Sequence, residues 1–224
     1  MPKRRRLKTI LYIDGFNLYY GAIKDTPYKW LNPIALASQM FRNNEIVATK
    51  YCSAPVSALP NDPDAPTRQM TYWRALRTLP NMTIIEGHFR VRKKRAKVVT
   101  PPPNTIEIYS TEEKGSDVNL GAHLLLNAFQ DKFTTAIVIT GDSDLITPIR
   151  MVNEELGKAV CVVNPQLISG PHRRKQRRGS AGLQSAAQVY RNGIRDAQLQ
   201  SSQFPSHLSD SVGTFNKPRV WSTQ

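Results

Sequence analysis

Four aspartates, Asp14, Asp117, Asp142 and Asp144, stand where this chain is most able to do chemistry. Asp142 and Asp144 flank Ser143 just past an apolar run over 136–140. That run is β-branched and lacks polar alternation, as expected of a strand buried on both faces. Gly141 breaks it, and a helical pattern begins at Leu145. Two carboxylates thus sit where a strand gives way to a helix. In an open parallel sheet that carboxyl edge is where ligands bind. Asp14 repeats the arrangement after the apolar run 7–13. Gly15 then permits close backbone approach, and Asn17 suits the cap of a short helix. Each carboxylate also has a purely structural explanation. Asp14 fits an Asp-Gly turn, Asp117 favours the dipole of the helix it opens, and Asp144 fits a helix cap.

The elements between them decide whether the four can meet. Strands are expected over 7–13, 46–54, 82–91, 136–140 and 159–163, with helices over 33–41, 67–79, 117–129 and 145–156. Val118, Ala122, Leu125, Leu126 and Phe129 are expected to form the apolar face of the third of these helices. Strands alternating with helices imply a mostly parallel sheet with helices on both faces. The helix carrying Asp117 leads directly into the strand that ends before Asp142. It therefore runs toward the opposite edge, and its N-terminus lies back at the carboxyl edge with the other aspartates.

Charge gives such a meeting its meaning. Two carboxylates about 5 Å apart repel by roughly 3 kcal/mol at an effective dielectric near 20. A cluster of four either holds protons or holds a cation. All-oxygen ligands suit Mg²⁺ or Mn²⁺, and such ions support attack of water on a phosphodiester. The formal charge of the 224-residue chain is +14, from 31 basic and 17 acidic side chains. Such an excess points to a polyanionic partner. The charge is clustered at 3–8, 90–97 and 173–178. Phe89 to Tyr109 reads as a basic, hairpin-like excursion, an arm able to grip a phosphate backbone. Arg92, Lys93, Lys94 and Arg95 are its candidate substrate contacts, with Lys114 and Ser143 nearer the carboxyl edge.

Other chemistries find little support. Cys52 and Cys161 lie in apolar strand-like segments, have no CxxC neighbour and read as reduced core thiols of a cytoplasmic protein. His88, His123, His172 and His207 show no zinc spacing. No stretch approaches membrane-spanning length, so no membrane role is expected. After residue 168 the composition turns polar and basic. Residues 169–224 are read as linker, two short helices (183–190 and 194–199) and an extended tail. Disorder is the simplest state for the tail, although Phe204, Phe215 and Trp221 are able to tack it onto the domain.

Three segments carry a family resemblance: Tyr-Ile-Asp-Gly-Phe-Asn-Leu-Tyr-Tyr-Gly at 12–21, Glu-Lys-Gly-Ser-Asp-Val-Asn-Leu at 113–120 and Ile-Thr-Gly-Asp-Ser-Asp-Leu at 139–145. In this order and spacing they resemble the motifs of the NYN domain family, a branch of the PIN-like nucleases. The likeness covers about 7–164, and Ser-Gln-Phe-Pro at 202–205 also resembles bacterial members. The resemblance implies an α/β fold, a three-layer PIN-like α/β/α sandwich over 1–168, and an endoribonuclease using Mg²⁺ or Mn²⁺. It places the acidic metal site on Asp14, Asp117, Asp142 and Asp144 and a substrate- or water-positioning role on Asn17. No acidic position is missing. RNA is the implied partner, and the oligomeric state is left open, a homodimer included. Two rivals remain. One is an RNA-binding module without catalysis. The other is a different metal-dependent phosphoryl-transfer enzyme, although Asp14-Gly-Phe-Asn17 lacks the second acid that a haloacid-dehalogenase-like phosphatase has two positions on, and Asp14 stands where a Toprim-like site has Glu.

Overall fold

The computed structural model describes residues 6–173 and 179–221. Its centre is a six-stranded sheet in which every neighbouring pair is parallel. From edge to edge the strands are β3 (Met82–Glu86), β2 (Asn44–Ser53), β1 (Leu7–Asp14), β6 (Thr135–Ile139), β7 (Ala159–Val163) and β8 (Val189–Arg191). The chain moves outward from β1 in one direction through β2 and β3, then returns to β6 on the other side. The strand order therefore reverses between β1 and β6, the kind of point at whose carboxyl side open parallel sheets bind ligands.

The apolar strands divide their side chains between two cores, as a period of two demands. Leu11, Ile13, Ile137, Ile139 and Val163 face one side. They meet α1 (Gly15–Leu18, extended by a π-helical turn at Tyr19–Ile23), α2 (Pro33–Met40), α3 (Ala65–Arg77) and the later α7 (Asp196–Ser201). Ile10, Tyr12, Ala136, Val138, Val160 and Val162 face the other. They meet α4 (Ser116–Phe129), α5 (Ile146–Arg150) and α6 (Ala181–Ala186). The result is the three-layer α/β/α sandwich. Cys52 and Cys161 are both buried, free thiols.

Several elements differ from the sequence reading. The run 82–91 is not one strand. It breaks at Gly87 into β3 and β4 (His88–Lys97), which pairs antiparallel with β5 (Thr105–Lys114) as a separate ribbon. A side chain at Gly87 would meet the Lys114 carbonyl oxygen at 2.7 Å and Glu113 Oε1 at 2.9 Å, so the chain turns there only because the residue is glycine. The segment 183–190 is not one helix either: α6 ends at Ala186, and β8 follows as a sixth strand.

The face of α4 is also different from the one expected. Leu120, Leu124 and Ala128 are buried, whereas Val118 is 75% and Phe129 78% exposed. The helix carries apolar residues on two of its sides, so periodicity alone admits either face. Among the basic runs, 3–5 and 174–178 lie outside the described residues.

The chain beyond residue 168 packs as part of the same body. β9 (His207–Asp210) and β10 (Gly213–Asn216) form a hairpin. Phe204, Phe215 and Trp221 pack around the fully buried Trp30, with ring centroids 5.8, 6.5 and 6.1 Å away. The Trp30 indole N–H donates to the Pro205 carbonyl at 2.8 Å. Arg74 on α3 holds the hairpin through both carboxylate oxygens of Asp210, each at 2.7 Å, and lies 4.2 Å from the Phe215 ring centre. Trp30→Ala is expected to lower stability by about 3–5 kcal/mol, read by urea unfolding, and to make the chain after residue 202 sensitive to limited proteolysis.

Candidate active site at the carboxyl edge of the sheet

The reversal point is closed by one side chain reaching across it. Asp14 ends β1 and caps α1. Its Oδ1 accepts from the Asn17 backbone N–H at 2.9 Å, and its Oδ2 accepts from the Asn17 amide at 2.6 Å. The other end of the same amide, Asn17 Oδ1, accepts from the Gly141 backbone N–H at 3.1 Å. Thr140 completes the clasp: its hydroxyl donates to Asp14 Oδ2 at 3.2 Å and accepts from the Asp142 N–H at 3.1 Å. The ends of the two central strands are thus held by neutral groups bridging a buried carboxylate.

Gly15 and Gly141 are required by this closeness. A Cβ at Gly15 would stand 2.8 Å from the Tyr51 ring, and one at Gly141 3.2 Å from Asn17 Oδ1. Asp142 is half-buried, and its Oδ1 accepts from the Asp144 N–H at 2.9 Å, starting the short 3₁₀ turn Ser143–Leu145. Asp144 and Ser143 are exposed. Asp117 lies half-buried in the first turn of α4.

The four carboxylates feel one another. Burial pushes the Asp14 carboxyl up to about 7, and the negative charges of Asp117 and Asp142 reinforce it against the hydrogen bonds from Asn17 and Thr140. Burial likewise lifts Asp117 to about 6, with the charges of Asp142, Glu113 and Asp144 and a hydrogen bond to Asp142 adding to the rise. Even so, among the described residues no three Asp, Glu, His or Cys side chains form a ready-made metal-binding group. The carboxylates share an edge without closing around one point.

Their donor chemistry nevertheless fits a hard divalent cation, being oxygen throughout. Asp14 is the most restricted member. Of about four acceptor sites on a carboxylate, the clasp occupies three. Asp117, Asp142 and Asp144 are freer to turn toward an ion.

The remaining predicted contacts lie farther out. Lys114 is exposed, with its amine 3.7 Å from Glu112. Arg92, Lys93, Lys94 and Arg95 are exposed along β4, paired opposite residues 107–110 of β5. Two contributors escaped the sequence reading. Glu113 accepts from the Ser116 N–H at 3.0 Å and adds its charge to Asp117. Its one sequence signal is a carboxylate four residues before Asp117. Thr140 reads in sequence only as the last residue of a β-branched run.

A parallel α/β sandwich with carboxylates along the edge of its reversal point defines the class of fold. The comparison with known proteins agrees: residues 8–179 match the NYN domain, and the chain belongs to that family of nuclease-like, RNA-related domains. The chain is 28% identical to 6-hydroxy-3-succinoylpyridine 3-monooxygenase HspA of Pseudomonas putida, over 96% of its own length and 75% of that protein's. It also resembles the crystal structure of a protein of unknown function, VPA0982, from Vibrio parahaemolyticus. There the TM-score is 0.53 and the identity 14%, covering 96% of this chain and 100% of that one.

The raised Asp14 carboxyl has a consequence for stability. An unfolded aspartate titrates near 4, so the folded chain binds this proton more tightly than the unfolded one. Its stabilising contribution is full below about pH 4 and is lost as pH rises through about 7. In EDTA, the thermal midpoint is expected to fall across that interval by an amount reflecting a few kcal/mol. Asp14→Asn, which cannot ionise, is expected to flatten that part of the profile in a calorimetric pH series.

Proposed function

We propose that this chain is a Mg²⁺- or Mn²⁺-dependent endoribonuclease. The observation that supports the reading is the placement of Asp14 at the end of β1, Asp142 and Asp144 after β6 and Asp117 in the first turn of α4, all at the carboxyl edge beside the β1/β6 reversal. Carboxylates gathered at one edge make a site short of positive charge. Asp117, Asp142 and Asp144, with the remaining acceptor position of Asp14, are the residues to hold a cation. A divalent ion there would neutralise the cluster, stabilise charge on the attacked phosphate and lower the pKa of a water.

The chain's own residues supply the rest. Asn17 and Thr140 fix the spacing of the two strand ends. Exposed Ser143 and Asp144 lie where a phosphate enters. The basic ribbon β4–β5 gathers the polyanion by charge. In-line attack by water leaves 5′-phosphate and 3′-hydroxyl ends. It makes no demand on the 2′-hydroxyl, so DNA is a chemically competent substrate as well.

A second reading is supported by the likeness to the Pseudomonas protein, whose name describes oxidation of a hydroxypyridine. The residues favour it less. A dinucleotide reductant would want a glycine-rich loop after β1, and the chain has Asp-Gly-Phe-Asn there, with a buried carboxylate.

The test is incubation of end-labelled RNA with Mg²⁺ or Mn²⁺, with EDTA, and with the Asp142→Asn protein. Cleavage is expected only with the wild-type chain and metal, with loss of at least about a hundredfold in the variant. Equal cleavage in all arms would identify a contaminant and end the proposal. Absence of RNA cleavage together with hydroxylation of 6-hydroxy-3-succinoylpyridine by dioxygen, with a two-electron reductant supplied to reduce the second oxygen atom to water, would replace it with the second reading.

A further inference from the structure

The helix α4 has two apolar faces, and the fold buries only one of them. At about 100° per residue, Leu120, Leu124 and Ala128 share the side that packs on the sheet. Val118, Ala122, Leu125, Leu126 and Phe129 fall within about 100° of one another on the opposite side. That second stripe faces water. Val118 is 75%, Phe129 78% and Leu126 49% exposed, Ala122 is exposed, and Leu125 forms a half-buried shoulder. Apolar residues scattered singly over a surface need no explanation, but a contiguous stripe along a whole helix does.

Charge narrows what can cover it. Over Ser116–Phe129 only Asp117 is charged, although the chain holds 31 lysines and arginines and a net charge of +14. Such a chain repels its own copy over most of its surface. A contact between copies is least opposed where cations are missing, whereas an acidic partner would be drawn to the basic ribbon instead. The order of the stripe also fits a second copy. Run antiparallel against itself, α4 sets Val118 opposite the partner's Phe129, and Ala122 opposite the partner's Leu125 and Leu126. Large side chains then meet smaller ones, and the helices can approach closely at the centre. A phenylalanine side chain carries about 150 Å² or more, so the stripe exposes on the order of 400 Å² per copy. With its polar flanks, the two copies together reach roughly 1,200 Å², where specific interfaces begin.

We infer that α4 is a homodimer contact, in which the outer stripe packs antiparallel on the same stripe of a second copy about a two-fold axis. The contact stands whether or not the chain cleaves RNA. Because α4 starts at the carboxyl edge, the pairing sets the two Asp117 edges at opposite ends of the helix pair, roughly 20 Å apart. The partner's Phe129 then lies against Val118, one residue from Asp117. Lys50 and Lys132 are close enough for their charges to act on His123, at one flank of the helix. An antiparallel pair brings each flank to its own copy, so these cations oppose the contact, and salt relieves them.

The experiment is sedimentation velocity of the full chain, freed of nucleic acid, from about 1 to about 100 μM. A monomer–dimer equilibrium is expected, and raising salt from about 0.05 M to about 0.5 M is expected to strengthen it. Val118→Lys and Phe129→Glu are each expected to weaken the dimer at least about tenfold. The chain carrying both changes is expected to regain it at the lower salt, because the two new charges then face each other across the axis. Both side chains are exposed, so the variants keep the fold, which a thermal melt checks. A monomer at every concentration, a dimer untouched by either single change, or a double variant as weak as the singles would each overturn the contact. A dimer that dissolves in salt would do so too, since charge and not the apolar stripe would then join the copies.

Discussion

One buried carboxylate organises the working edge of this fold. Asp14 is removed from water yet accepts three hydrogen bonds, two from Asn17 and one from Thr140. Through Asn17 those bonds reach the Gly141 N–H, so the termini of β1 and β6 are fixed to each other and α1 is launched from the same point. The strand-order reversal would be an open crevice without that link. With it, the positions of Asp142 and of Phe16 are both set by reference to a single side chain. An unpaired charge at such a depth is costly, which explains why the raised proton affinity and the three donors occur together.

The sheet was legible in the sequence because its strands are buried on both faces. Runs such as 136–140 have no polar alternation, and the two-core division of their side chains confirms the reason. That Asp14, Asp117 and Asp142 lie along one edge was also legible, since topology alone returns the start of α4 to the carboxyl edge, although they do not close around one point. What escaped was information held in tertiary contacts. The three-residue strand β8 is too short to show a period and exists because β7 offers it an edge. The core face of α4 was misplaced because the helix carries apolar residues on two of its sides, and the sheet chose Leu120 and Leu124 over Val118 and Phe129. The split at Gly87 was invisible because the crowding that requires glycine comes from Glu113 and Lys114, at the far end of the ribbon. Thr140 and Glu113 act through partners supplied by other elements, which no local pattern encodes.

Two sets of charge meet around this edge with opposite effects. Burial makes Asp14 and Asp117 resist ionisation, whereas the exposed cations of β4 are spread over a two-stranded ribbon and screened by solvent. A ribbon standing apart from the main sheet holds its charge away from the acidic cluster. The long-range attraction of a polyanion and the short-range demand for a cation are thereby kept on separate elements, and Phe89 stacked on Phe16 is a direct side-chain contact between them.

The pocket around Trp30 carries a different message, about time. Its indole is fully buried, yet Phe204, Phe215, Trp221 and the Pro205 carbonyl that surround it arrive 174 or more residues later in the chain, since the hydrogen bond to Pro205 alone spans 175. During synthesis, a growing chain therefore carries a large bare aromatic surface until residues 204–221 emerge, and β1 waits likewise for β6. Contacts so distant in sequence slow folding and lengthen exposure to aggregation. The aromatic core begun at Trp30 is thus sealed only by residues made long after it.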